Sequence, residues 1–259
     1  MNDRNEPNIR LSIAPDYAET ETALRIRARF GDLPAGEEAD LTLCLDGDGL
    51  SLHSGDQVLR GDFTRMLPRL KQGSLSGELL VRTAKIKDAT APLTALDATA
   101  GLGEDSLLLA AAGFRVRLYE RNPVVYELLY DAWQRAKEIP ELAEITGRME
   151  IVHGDSMAAM EQLALTPDVV LLDPMFPERQ KSALVKKKLQ IIQKLEIPCA
   201  DEAELFLAAV NAKPKKLVIK RPPKGPYLAD VKPDYSISGK AVRFDCIVSP
   251  YEKRHKFNL

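Results

Sequence analysis

Three cysteines, one tryptophan, three histidines and almost no net charge set the first limits on this 259-residue sequence. Cys44, Cys199 and Cys246 are an odd, scattered set without paired ligand spacing. That argues against a disulfide framework and against a zinc site, and no metal is expected. No window approaches the roughly 18 consecutive apolar residues of a membrane-spanning helix. The longest comparable run, Leu107 to Phe114, is eight residues. The opening Met1-Asn-Asp-Arg-Asn-Glu6 is too polar for a signal peptide, so a cytoplasmic location is expected and no membrane partner. What is present is ordinary for a soluble globular chain: 45% apolar and 29% charged residues, which excludes disordered and collagen-like classes. The length is ample for one large domain, or a standard domain with a smaller one attached.

The near-neutral total conceals an asymmetry. Residues 1–90 hold 12 basic and 15 acidic residues, residues 91–170 hold 6 and 13, and residues 171–259 hold 18 and 10. A basic last third can present a polyanion-binding face even when the whole chain is neutral, because a phosphate backbone responds to the local field. The same lysines also fit a plain solvated surface. Near the other end, Leu41-Thr-Leu-Cys-Leu45 and Leu50-Ser-Leu-His53 alternate on either side of Asp46-Gly-Asp-Gly49, a β-hairpin signal. The Asp-x-Asp-Gly stretch lacks the spaced oxygen ligands and closing Glu of a calcium loop, so the turn is favoured. Residues 1–75 read as a small N-terminal α+β subdomain with a few strands, and residues 76–259 as the main domain.

From residue 93 the pattern alternates strand and helix. Strands are expected at 93–96, 115–119, 149–152, 168–172, 216–219 and 243–248, with a long helix over 123–138. Asp168-Val-Val-Leu-Leu172 is almost uniformly apolar, as a central parallel strand buried on both faces must be. Alternation at this spacing gives a doubly wound, Rossmann-like α/β sheet with helices on both faces, whose ligands bind at the carboxyl ends of the strands.

The first strand runs into Asp97-Ala-Thr-Ala-Gly101-Leu-Gly103-Glu104-Asp105, a glycine turn leading into a helix N-terminus. The second ends at Glu120, a carboxylate suited to accept hydrogen bonds from both hydroxyls of a ribose. A dinucleotide fingerprint needs a third glycine, but Ser106 stands there, and Glu104 and Asp105 would face a pyrophosphate with like charge. S-adenosylmethionine carries a sulfonium and an ammonium instead, so charge favours it, although the two acids also suit a helix dipole. After the third strand, Asp155 is placed to accept from an adenine amino group, or to cap a helix together with Ser156.

After the fourth strand comes Asp173-Pro-Met-Phe-Pro177. An exocyclic amine on a planar base is a poor nucleophile because its lone pair is delocalised into the ring. Asp173 and the Pro174 carbonyl can accept its two N–H bonds and aim the lone pair at a methyl donor, while Phe176 stacks on the base, a contact worth roughly 1–3 kcal/mol. Asp-Pro is equally a common strand-terminating turn. Lys181, Lys186, Lys187 and Lys188 follow, and later Lys213, Lys215, Lys216, Lys220, Arg221 and Lys224 occur without an intervening acid. Positive charge beside a base-binding pocket suggests a nucleic acid gripped by its phosphates, its target base extruded if paired. Lys181, Lys186, Lys187, Lys188, Lys220 and Arg221 are the expected contacts.

The Asp97–Gly103 loop, Leu118-Tyr-Glu-Arg-Asn-Pro-Val-Val125, Leu172-Asp-Pro-Met-Phe-Pro177, Gln180-Lys-Ser-Ala-Leu-Val-Lys-Lys187, Val218-Ile-Lys-Arg-Pro222 and Lys240-x-x-Arg-Phe-Asp245 together resemble the RsmJ family, bacterial 16S ribosomal RNA guanine-N2 methyltransferases. The motifs run in order over roughly residues 93–250. The resemblance implies a seven-stranded class I methyltransferase sheet and a small-subunit ribosomal RNA substrate. It also implies S-adenosylmethionine held by Glu104 and Asp105, Glu120 and Arg121, Asp155 and Ser156, and Asp173, alongside the Asp97, Gly101 and Gly103 loop. It does not extend distinctly to the first 75 residues. Two other readings stand beside it. An NAD-dependent oxidoreductase is disfavoured by Ser106 and by the lack of an evident hydride-transfer His or Tyr–Lys pair. A non-enzymatic RNA- or ribosome-binding protein would keep the fold without turnover.

Overall fold

The computed structural model describes residues 8–31, 39–87, 89, 92–174, 191, 195 and 202–257. Two sheets organise them. The smaller has four strands in the order β1-β2-β3-β4: Ile9–Ile13, Leu41–Asp46, Gly49–Ser54 and Gln57–Leu59. β1 and β2 are parallel, joined through the helix Glu21–Phe30, and β2 and β3 form the expected antiparallel hairpin across Asp46↔Gly49. Alternation along β2 buries Leu41, Leu43 and Leu45 on one face, where Ala23 and Ile26 of the helix meet them.

The larger sheet contains β5 (Thr94–Asp97), β6 (Arg115–Glu120), β7 (Met149–His153), β8 (Val169–Leu172), β9 (Lys216–Arg221), β10 (Tyr235–Ser238) and β11 (Arg243–Val248). Their order is β10-β11-β9-β8-β5-β6-β7, parallel except for β11, which runs antiparallel to both neighbours. The expected seven-stranded sheet is present. β8 shows why its residues are all apolar: Val169 and Leu171 enter the core on one face, Val170 and Leu172 the core on the other. The helix Glu104–Ala111 covers the first face with Leu107, Leu108 and Leu109, and the helix Glu202–Asn211 covers the second with Leu205 and Phe206.

The helix Pro123–Lys137 joins the two sheets, turning Leu129 and Ala136 to the large one and Val124 and Leu128 to the small one. The small sheet is complete by Leu59, and beyond it Phe63, Met66, Leu80 and Ala84 pack into the core of the large sheet. β5 leads to β6 on one side, whereas β8 lies on its other side, so the chain order reverses between β5 and β8. At such a switch point the loops leave in opposite directions and open a crevice at the strands' carboxyl ends.

Candidate active site

The crevice is lined by residues that end consecutive strands of the sheet. In sheet order these are Lys220 on β9, Asp173 after β8, the Asp97–Gly103 loop after β5, Glu120 on β6 and Asp155 after β7. Neighbouring strands lie about 4.8 Å apart, so this row is continuous.

The loop after β5 is held from beneath. Asp97 is almost sealed from water at 2% exposure, and both of its oxygens are taken: Thr99 N–H donates to Oδ1 at 3.1 Å and the Ser106 hydroxyl to Oδ2 at 2.7 Å. Burial pushes the Asp97 pKa up to about 7, and these two hydrogen bonds oppose the rise. Gly101 and Gly103 both have positive φ, +54° and +76°. At Gly103 a Cβ would come within 2.6 Å of Leu129 Cδ1, so a side chain is excluded by space as well as by backbone. At Gly101 a Cβ would meet nothing within 4 Å, so its side of the loop is open.

Glu120 ties that loop to the next strand. Its Oε2 accepts from Gly101 N–H at 2.9 Å and its Oε1 from Asn122 N–H at 2.8 Å. At 4% exposure its pKa is raised by burial, against the pull of the two N–H groups and of Arg121. Asn122 in turn caps the helix Pro123–Lys137 through Val124 N–H and donates to the Leu195 carbonyl at 2.8 Å. Asp155 caps the helix Ser156–Glu161 through Met157 N–H, with Ser156 buried beneath it. Beside it, the ring of His153 meets Arg29 at 2.9 Å; burial and that guanidinium lower the His153 pKa.

Asp173 is fixed at two points. Its main-chain N–H donates to Thr99 Oγ1 at 2.6 Å, and its Oδ2 lies 2.8 Å from the Lys220 ammonium. Lys220 also reaches Asp105 Oδ2 at 2.5 Å, on the first turn of the helix Glu104–Ala111. Burial raises the Asp173 pKa and Lys220 pulls it back. Lys220 itself stays charged, because two carboxylates outweigh its own desolvation. Pro174 is buried directly after it.

The acids of this row outnumber the Lys220 ammonium and suit a ligand with a positive centre and hydroxyl groups. The family model described as "Putative SAM-dependent methyltransferase" matches residues 26–249. The ribosomal RNA small subunit methyltransferase J of Thioalkalivibrio sulfidiphilus is 39% identical over 247 residues, covering 90% of this chain and 96% of its own. The protein of that name from Tolumonas auensis is 38% identical over 243 residues, covering 91% and 96%. Among solved structures, a SAM-dependent methyltransferase from Neisseria gonorrhoeae matches with a TM-score of 0.72 at 30% identity, covering 92% of this chain and 95% of that one. The chain belongs to the ribosomal RNA small subunit methyltransferase J family.

A member of the J family is a SAM-dependent methyltransferase, and S-adenosylmethionine is the cofactor of this chain. The residues present fit it. The loop is open above Gly101, Glu120 is anchored at the end of β6, and Asp105 and Asp173 supply negative charge. Two expectations need correcting. Arg221, expected among phosphate contacts, is 2% exposed, with Nε on the Pro226 carbonyl and its terminal nitrogens on Glu202. It braces the loop after β9 and is too deep to reach a nucleic-acid backbone. Lys220, expected in the same role, has its charge spent on Asp105 and Asp173.

The lysines at 213, 215 and 216 stand where β9 begins, at the edge of the sheet opposite the crevice. There Lys215 pairs with Asp168, and Lys216 donates to the Thr83 and Lys85 carbonyls. Asp97 lies under the loop that it begins, with both oxygens engaged by Thr99 and Ser106, so its place is to shape that loop. Phe176, Lys181, Lys186, Lys187 and Lys188 lie outside the described residues. Sequence reasoning missed the Lys220 bridge and the Thr99 acceptor. The signal for Lys220 was its place near the carboxyl end of the strand next to β8. Among the described residues, no group of three His, Cys, Asp or Glu side chains could hold a metal, and no helix is long and apolar enough to cross a membrane.

Proposed function

We propose that this chain, acting in the cytoplasm, transfers a methyl group from S-adenosylmethionine to the exocyclic N2 amine of a guanine in 16S ribosomal RNA. The names of the curated relatives support a small-subunit ribosomal RNA substrate. The observation that carries the amine is Asp173: a carboxylate at the switch point, one strand from the donor loop, with Oδ2 and main-chain N–H both fixed.

S-adenosylmethionine supplies an electrophilic methyl group on a sulfonium. The chain's residues do the rest by holding and orienting. Glu120 is placed to receive ribose hydroxyls, Asp155 with Ser156 and Arg121 to border the adenosine, and Glu104 and Asp105 to face the amino-acid end. Asp173 and the Pro174 carbonyl receive the two N–H bonds of the amine, and Phe176 covers the base. As the amine becomes bonded to carbon it must lose a proton, and the Asp173 carboxylate is the nearest acceptor this reading provides. Positioning and a preset field then account for most of the rate, without a dedicated strong base.

The test is mass spectrometry of 16S ribosomal RNA nucleosides from cells with and without the protein. Loss of one N2-methylguanosine equivalent is expected in its absence, and an unchanged level overturns the reading. In vitro, D173A should lower turnover by about 100-fold or more, the scale of one lost transition-state hydrogen-bond partner, while RNA affinity is largely kept. A protein that only binds RNA would show no turnover to lose.

A further inference from the structure

The Lys220 side chain touches both halves of the crevice. Its ammonium lies 2.5 Å from Asp105 Oδ2, on the helix that begins at the donor loop, and 2.8 Å from Asp173 Oδ2, at the end of β8. Bonds from one ammonium to carboxylates on separate elements fix their spacing, and a charge-assisted bond of this kind is about twice as strong as a neutral one. The main chain of Asp173 is already pinned on Thr99, which belongs to the same loop as Gly101 and Gly103. With Oδ2 engaged, the carboxylate cannot rotate freely, and Oδ1 is left to receive a substrate N–H.

We propose that Lys220 is a positioning residue for methyl transfer: by bonding Asp173 and Asp105 at once, it orients the amine-receiving carboxylate and holds it in register with the donor loop. This rests on the reading of Asp173 given above. The charged groups facing Asp173 are Lys220 and Arg221 from β9, Asp105 from the helix Glu104–Ala111, and Asp97 from the end of β5. Only the two β9 cations favour its ionised form, and Arg221 is committed to Glu202. Removing Lys220 leaves two carboxylates facing each other, so Asp173 takes up a proton at higher pH and loses the bond that orients it.

The experiment measures methyl transfer to 16S ribosomal RNA by the full chain across pH for wild type, K220M, K220R and D173N, with donor binding and thermal unfolding followed in parallel. K220M should lower kcat at neutral pH by about 10- to 100-fold, the scale of one charge-assisted hydrogen bond, with KM for RNA little changed. Its acid limb of kcat/KM should move to higher pH, so the deficit shrinks as pH rises, and K220R should restore the limb. If K220M is unstable, K220Q, which keeps a donor but not the charge, should show the same displaced limb. A wild-type kcat with an unmoved limb overturns the proposal. So does a uniform loss at every pH that K220R fails to restore, which is what a purely structural lysine would give. D173N separates the two claims. If it is inactive while K220M behaves as wild type, only the role of Lys220 fails. If D173N keeps full activity, the reading of Asp173 fails and this proposal with it.

Discussion

Asp97 and Glu120 end adjacent parallel strands and are both almost sealed from water, yet their carboxylates do different work. Glu120 holds the main-chain N–H groups of Gly101 and Asn122; its place at the end of a strand was readable from the sequence, but these two bonds were not. The role of Asp97 was not readable, because it depends on how far the loop folds back over it. In the sequence Ser106 counted only as a missing third glycine; in the fold it is the hydrogen-bond donor to Asp97. This has a consequence for stability. The Asp97 carboxyl moves from 3.8 to about 7 on folding, so between those values the folded chain binds a proton that the unfolded chain has released. Stability attributable to this group therefore falls as pH rises from about 4 to about 7, and the cost of an ionised Asp97 persists above that. D97N removes the titration and keeps the geometry, since its amide oxygen accepts from Thr99 N–H and its NH2 can donate to Ser106. Urea unfolding should show D97N gaining on wild type between about pH 5 and about pH 8. An equal difference at both values would mean that Asp97 titrates as an ordinary surface acid.

Between the two sheets, the helix Pro123–Lys137 is held by polar contacts as well as by packing. Asp131 accepts the Leu50 N–H at 3.0 Å and pairs with Arg135 at 2.8 Å, and Arg135 donates to the Gly61 carbonyl at 2.6 Å. Buried Glu127 lies between Arg25 and Arg29 of the N-terminal helix, at 2.8 and 2.7 Å. Gly49 closes the β2–β3 turn against this helix with φ of +99°, and a Cβ there would stand 2.4 Å from Arg135 Nε. Gly55 has φ of +54° with nothing near its missing Cβ, which makes it the natural control. G55A should cost only the backbone term, about 1 kcal/mol, whereas G49A should cost about 2–4 kcal/mol because Arg135 must also give way. Equal losses in urea unfolding would mean that the close approach to Arg135 contributes nothing. The β2–β3 hairpin, β5 to β9 and β11 were legible because apolar runs and turn glycines mark them. The helix Glu21–Phe30 was not, since Leu24-Arg-Ile-Arg-Ala-Arg-Phe30 alternates apolar and basic residues as a strand would, and only Ala23 and Ile26 of its ten residues are buried. β10 was hidden too: Tyr235-Ser-Ile-Ser238 is a mostly exposed edge strand, defined by its pairing with β11.

Over the whole molecule the charge is sorted in a way the net value of −2 conceals. At the strand ends Asp105, Glu120, Asp155 and Asp173 outnumber the Lys220 ammonium, a balance that suits a cationic methyl donor and repels a phosphate backbone. Screening in salt reduces that repulsion only beyond about 8 Å, so RNA must be held away from the crevice while one base reaches into it. The cations that hold it cannot be the ones already spent. Lys220 is bound between two acids, Arg221 is buried, and the lysines at 215 and 216 are engaged at the opposite edge. What remains of the basic third is led by the run Lys186-Lys-Lys188, between Asp173 and β9 in the sequence. Each phosphate contact contributes about 0.7–0.9 to the slope of log affinity against log salt, so losing three should flatten it by about 2–3. Replacing Lys186, Lys187 and Lys188 together by Gln should therefore weaken RNA binding and lower its salt slope by that amount, with S-adenosylmethionine affinity nearly intact. Both are read by titration at several salt concentrations. An unchanged slope would assign the three lysines to ordinary surface and move the grip on RNA elsewhere, whereas a loss of donor binding would mean that the run supports the crevice itself.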